Sequence, residues 1–430
     1  MQRTPIRLLL AFIAATFLLN VFGPVSYLGF RPWLTASFLA LVCLAMWIGF
    51  GLGVRVFERE QASSAALMPG KDHRPLFYLC LTVALAGLAI SVSQAVLAGQ
   101  LNMSAADLGQ TYIDAYANYE RNTGSYSATF IIYSLSAPAA FIASVWGLMY
   151  FRRLSLAMRL AVVVLIGGSL LFYTIGSGKQ KHLGDTLIYL LAVWAIAYGR
   201  AGKAVNWRVV VPALVLVFLA VVGFIAILGQ RYEALSIDIF NVNVRGHPLL
   251  SYDLDHPLFA WLGYDVGFGF SMLSGYLSQG YFGLSLALET HFTWSYMLGF
   301  SYSLMVIADR VFGLPFVISH TYPALVGAET GWDESKWHTA FTHWASDVTF
   351  PGTIILFGLF AYVWAKAWNR ALVQDNPYAV LLFALMLQGA IFLPANNQLF
   401  ISPGSVATVI IVIVLYVRYA GRAYSSPTAQ

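Results

Sequence analysis

Apolar residues in this chain come in long uninterrupted runs, with polar residues confined to the gaps between them. A helix needs about 20 consecutive apolar residues to cross a bilayer. Runs of that kind occupy 6–22, 34–54, 76–98, 128–150, 158–175, 182–199, 209–229, 351–369, 377–393 and 403–419. The stretch 266–309 is apolar too, and reads either as two further crossings or as a re-entrant pair. The pattern predicts an all-α polytopic membrane protein of ten to twelve spans, with an even number in either case. The first run, Leu8 to Val21, has the length of a signal-peptide core. A second span follows it closely and no small-residue cleavage site stands out, so it is read as a retained helix.

Composition sharpens this reading. Of 430 residues, 59% are hydrophobic and 10% charged, where a soluble domain carries about 25% charged residues. Mean hydropathy is +0.71. A cytosolic enzyme, a disordered chain and a nucleic-acid binder are excluded. With no repeat and no inserted soluble domain, residues 1–430 form one integral membrane domain. Cys43 and Cys80 both lie in apolar runs and fit packing better than a disulfide or metal framework. No metal-ligand spacing or nucleotide motif occurs, so neither a metal nor a cofactor is expected.

The net charge of +5 reports orientation. Two thirds of the Lys and Arg residues fall at one set of span ends, including Arg3, Arg55, Arg59, Arg152, Arg153, Arg200, Lys366, Arg370 and Arg418. Basic residues mark the cytoplasmic side, so both termini are expected there. The long loops, about 99–127, 230–265 and 310–350, then face outward, which in the inner membrane of a bacterium means the periplasm. They hold most of the Asp, His and Trp outside the spans, and long loops on one face are where binding and chemistry collect.

Some cations break the orientation rule by lying on the outward side. Lys179 and Lys181 sit in a Gly-Ser-Gly-Lys-Gln-Lys-His connection, while Arg231 and Arg245 share one outward loop. Guanidinium forks and ammonium groups suit phosphate oxygens, although such residues can also snorkel to lipid headgroups. The stretch Trp337-His338-Thr339-Ala340-Phe341-Thr342-His343-Trp344-Ala345-Ser346-Asp347 leads into Pro351-Gly352. If helical, it places Thr339, His343 and Asp347 on one face. A neutral His can take the proton of a sugar hydroxyl and a carboxylate can orient it, so His338, His343 and Asp347 are the catalytic candidates. Asn396 and Asn397, between the last two spans, could bind sugar hydroxyls or merely end helices.

The run Tyr276-Leu277-Ser278-Gln279-Gly280-Tyr281-Phe282-Gly283-Leu284, with the later Trp337-His338-Thr339, Asp347 and Gly352, resembles the Wzy-type O-antigen and oligosaccharide repeat-unit polymerases. The His338 segment is also similar to that of the related O-antigen ligases, with Thr339 where those usually carry Asn. The resemblance implies a GT-C-like fold and a metal-independent glycosyltransferase. Such an enzyme moves a growing glycan from undecaprenyl pyrophosphate to a second lipid-linked repeat unit at the periplasmic face, alongside a chain-length regulator as partner. It implies Arg231 and Arg245 on the pyrophosphate, assisted by Lys179 or Lys181, with His338 as base and Asp347 orienting it or its helix. Two alternatives remain open: a ligase with lipid A core as acceptor, and a transporter of lipid-linked oligosaccharide. Transporters favour midplane charges and repeated halves. Here Asp185 and Glu289 are the main acidic residues within or beside spans.

Overall fold

The computed structural model describes residues 2–63, 68–69, 72–97, 109–111, 113–114, 128–176, 180–202, 207–234, 247–419 and 422–423. The chain is an all-α multi-pass membrane protein. Its first long helices are α1 (Thr4–Phe22), α2 (Pro32–Ser63), α3 (Arg74–Leu97), α4 (Ala128–Met149), α5 (Leu156–Leu170), α6 (Lys181–Arg200) and α7 (Trp207–Ala234). The expected starts and ends of these spans agree with the structure to within a few residues, except that α2 and α7 run further. Among the described residues, seven helices are long and apolar enough to cross a membrane.

The apolar stretch 266–309 divides into three pieces: α8 (Pro257–Ser278), α9 (Gly280–Ala287) and, after a loop, α10 (Tyr302–Phe312). Gly263 interrupts α8 with φ 73°. The 11 residues of α10 rise about 17 Å, roughly half the hydrocarbon thickness, so α10 is too short to be a crossing. The expected loop 310–350 is itself helical, carrying α11 (Phe316–Ser319) and α12 (Tyr322–Thr330). Helix α13 (Ala340–Val373) starts eleven residues before the expected 351 and bends at Thr349, whose φ is 64°. It is followed by α14 (Pro377–Ile391) and α15 (Pro403–Tyr419).

The tightest pair is α2 with α13, running in parallel. A Cβ on Gly49 would lie 2.0 Å from the carbonyl oxygen of Gly358, so only glycine permits this approach. Phe50 meets Trp364 edge to face, and Trp364 stacks on Phe383 of α14. Helix α14 is apolar nearly all round and buried nearly all round, as expected of a helix enclosed by others. The outer helices instead show Leu8, Leu160, Phe218 and Ile355 to the surroundings, the surface that lipid covers.

The two ends of the bundle differ. At one, Glu60 takes Lys366 at 2.6 Å and Arg370 at 2.9 Å, Arg200 pairs with Asp375, and β2 (Met68–Pro69) runs parallel to β4 (Arg422–Ala423). At the other, β1 (Val25–Tyr27) pairs antiparallel with β3 (Leu250–Tyr252). Here a buried cluster of Tyr27, Phe282, Tyr322 and Trp332 seats the 332–339 segment.

Candidate functional site

A cavity of about 1770 Å³ opens inside the bundle at the second end. Its deeper walls are Ala84 and Leu88 of α3, Ala140, Phe141 and Leu148 of α4, and Leu165 and Ile166 of α5. Its roof comes from Glu334, Ser335, Lys336, Trp337 and His338 on one side and from Asn396 to Ser402 on the other. Tyr276, Phe300 and Tyr302 fill the rim. The deeper walls are thus mainly apolar, with Ser144 and Ser169 among them, and the mouth is polar.

Glycine makes the roof possible. Gly280 lies so close to Pro394 that a Cβ would stand 2.0 Å from its carbonyl oxygen, and a Cβ on Gly283 would stand 2.7 Å from Nδ1 of His338. The helix that follows is capped by Thr339, whose Oγ1 accepts from the Thr342 amide at 3.2 Å. His338 therefore precedes the helix, so it cannot share the helical spacing of His343 and Asp347. Its ring is 1% exposed. Nε2 lies 3.1 Å from the Asp333 carbonyl, which fixes the proton on that nitrogen. Among the described residues, Nδ1 has no hydrogen-bond partner. Burial pushes the imidazole down to about 4, with the Asp333 carbonyl opposing it. Asp333 itself is held below the ordinary carboxylate range, chiefly by the Ser335 hydroxyl at 2.5 Å.

His343 is placed differently. It lies in the first turn of α13, half-buried, against the cavity. Its ring centroid is 6.4 Å from that of His338. Among the described residues its ring makes no hydrogen bond, and next to it Trp344 stacks on Phe300 at 4.3 Å and 6°. Among the described residues the ring nitrogens of His343 are unclaimed, whereas Nε2 of His338 is held by the Asp333 carbonyl, and burial with His338 beside it pushes the His343 imidazole down to about 3, so it is a weak base at rest.

Of the two roles expected for Asp347, orienting the histidine or its helix, its contacts fit the second. Its carboxylate turns away from the cavity and accepts from Ser295 Oγ at 2.6 Å, the Gly299 amide at 3.3 Å and the Phe300 amide at 2.7 Å. These bonds tie α13 to the 295–300 turn, in which Tyr296 and Met297 both have positive φ. Asp347 thus fixes the helix and the rim that carries Phe300.

Of the expected anion ligands, Lys181 lines the cavity. Its Nζ is 2.7 Å from Asp185 Oδ2, and Gln388 Nε2 donates to Asp185 Oδ1 at 2.6 Å. Lys179 and Arg245 lie outside the described residues. Arg231 is in the last turn of α7, with only its backbone described. Asn396 and Asn397 both line the cavity. Asn397 donates to the Phe300 carbonyl at 2.6 Å, a structural bond, whereas Oδ1 of Asn396 is buried without a partner among the described residues.

The cavity also gathers residues that sequence reasoning left out of the site: Asp185, Gln388, His182, Tyr133, Tyr173 and Lys336. Tyr173 stacks on His182 at 4.3 Å from a π-helical turn at Leu171–Ile175, a distortion often found at functional sites. Asp185 was detectable, as a carboxylate in an apolar span four residues after a lysine. Gln388 and Tyr133 carry no such signal. Among the described residues, no group of three or more His, Cys, Asp or Glu could hold a metal ion. Comparison with protein-family models, curated proteins and solved structures finds no match to this chain.

Proposed function

We propose that this protein is a membrane glycosyltransferase, an oligosaccharide repeat-unit polymerase acting on polyprenyl-pyrophosphate-linked glycans at the outer face of a bacterial inner membrane. The observation that carries this reading is the cavity, which is mainly apolar where a lipid tail would lie and lined by cations, amides and imidazoles where a headgroup would lie. Pockets of this chemistry orient a ligand through a few polar groups.

In the proposed reaction, an acceptor sugar hydroxyl attacks the anomeric carbon of the donor glycan. The bond from that carbon to the pyrophosphate oxygen breaks, and the lipid pyrophosphate leaves with its electron pair. His343 receives the hydroxyl proton. Lys181 and Lys336 are the described cations able to meet the negative charge growing on the leaving group, with Arg231, Arg245 and Lys179 as further ligands. His338, pinned between Asp333 and Gly283, shapes the roof beside His343. Asn396 offers an unsatisfied carbonyl oxygen to a sugar hydroxyl.

The test is a deletion strain profiled for surface polysaccharide and complemented with variants. Deletion should leave a single repeat unit on the lipid core. His343→Ala should fail to restore long chains although the protein reaches the membrane at normal level. His338→Ala should retain more activity than His343→Ala. Long lipid-linked polymer accumulating beside uncapped core would instead identify a ligase. Normal chains in the deletion strain would refute the reading altogether.

A further inference from the structure

We propose that Asp185 is an internal stand-in for the substrate's anionic headgroup: it pairs with Lys181 and yields it when a phosphate-bearing ligand enters. The inference deepens the reading of the cavity as a headgroup site and rests on it.

Three features point to exchange. Lys181 sits at the first position of α6 and Asp185 one turn along, so the pair closes within one helix. The two side chains differ sharply in access, 40% for Lys181 and 9% for Asp185. The lysine can therefore swing toward the cavity, while the carboxylate stays where it is. Gln388, reaching across from α14, holds Asp185 by its other oxygen at 2.6 Å, so the carboxylate remains hydrogen-bonded after Lys181 departs. A buried charge left with no partner would cost heavily, and the Gln388 bond lessens that cost.

The consequence concerns affinity and selectivity. An entering anion must take Lys181 from a carboxylate that already holds it, and must tolerate that carboxylate one helical turn away. A neutral lipid gains nothing from Lys181 and does not break the pair. Only a ligand with enough negative charge displaces Asp185, so the pair works as a threshold favouring pyrophosphate over neutral polyprenols. Asp185 acts through Lys181 and is a positioning residue in this scheme.

The test uses the purified full chain in lipid nanodiscs, with farnesyl pyrophosphate and farnesol as probes sharing one tail. Wild type should bind the pyrophosphate more tightly than the alcohol, and Lys181→Met should erase most of that preference. Asp185→Asn, nearly the same shape, should tighten farnesyl pyrophosphate binding at least about fivefold, within the usual range of couplings between sites. Its farnesol affinity should stay at the wild-type level, which also reports an intact cavity. In the Lys181→Met background most of the gain from Asp185→Asn should vanish, a dependence that a purely structural role would not produce. Weaker or unchanged pyrophosphate binding by a folded Asp185→Asn variant overturns the exchange. Wild type that does not distinguish the two probes overturns the headgroup site beneath it. Exchange seen in a protein whose deletion leaves polysaccharide unaltered would refute the polymerase and leave the exchange standing.

Discussion

At the scale of single residues, His338 has a consequence that can be measured without any substrate. Its imidazole sits at about 4 in the folded protein, against the ordinary 6.5. Between those values the unfolded chain takes up a proton that the folded chain refuses. The contribution of a neutral His338 is therefore complete above about pH 6.5 and is lost as the pH falls toward 4, by up to about 3 kcal/mol. His338→Gln should reduce the slope of the melting-temperature profile in detergent between about pH 7 and pH 4.5, the remainder coming from His343, which burial lowers in the same direction. An equally steep profile in the variant would show that another group sets it. The chemistry of the 337–347 stretch could be read from its residue types, but the division of labour within it could not. His338 and His343 are both plausible bases in sequence. Both rings border the cavity, and what separates them is that Gly283 and the Asp333 carbonyl pack against and hydrogen-bond the His338 ring but not that of His343.

At the scale of elements, the informative departure is α13, which begins as an outward helix and continues as a span after a break. Pro351 hints at the break, because proline cannot donate to the turn before it. The residue that absorbs it is Thr349, at φ 64° and ψ 168°, a conformation that side chains resist at a cost of about 1–3 kcal/mol. Thr349→Gly should raise the melting temperature, corresponding to about 1 kcal/mol, since glycine adopts these angles freely. A lower melting temperature would mean that the Thr349 hydroxyl, 3.4 Å from the Gly352 amide, outweighs the strain. Asp347, two residues before the break, is expected to matter in the opposite sense. Asp347→Ala leaves the Gly299 and Phe300 amides without their acceptor, while the Ser295 hydroxyl keeps the Ser346 carbonyl at 2.8 Å, and each such loss in a buried place costs about 1–3 kcal/mol. The variant should melt earlier and exchange its amides faster across 295–300. Unchanged exchange there would show that the turn holds itself. The helices themselves were legible because apolar runs of span length have few other solutions. The fate of 266–309 was not, since hydropathy cannot separate a short buried helix from a crossing.

At the scale of the whole molecule, the asymmetry of the bundle ties the charge pattern to the site. The end that gathers Glu60, Lys366, Arg370 and Arg200 is the end that the distribution of basic residues assigns to the cytoplasm. The cavity mouth, with Trp337, His338 and Asn396, is at the other. If the positive-inside rule governs this chain, the polar roof must be reachable from outside the cell and the basic end must not. Ser335 and Glu58 are exposed at opposite ends, and each can be replaced by cysteine in a background lacking Cys43 and Cys80. A membrane-impermeant maleimide applied to permeabilised-outer-membrane cells should label Ser335→Cys. It should reach Glu58→Cys only after the inner membrane is broken. The reverse pattern would place the cavity mouth in the cytoplasm and remove the basis for glycan transfer at the outer face. Labelling of neither site in broken membranes would contradict their exposure in the fold. The position of the mouth follows from packing, and the side it faces is what this labelling decides.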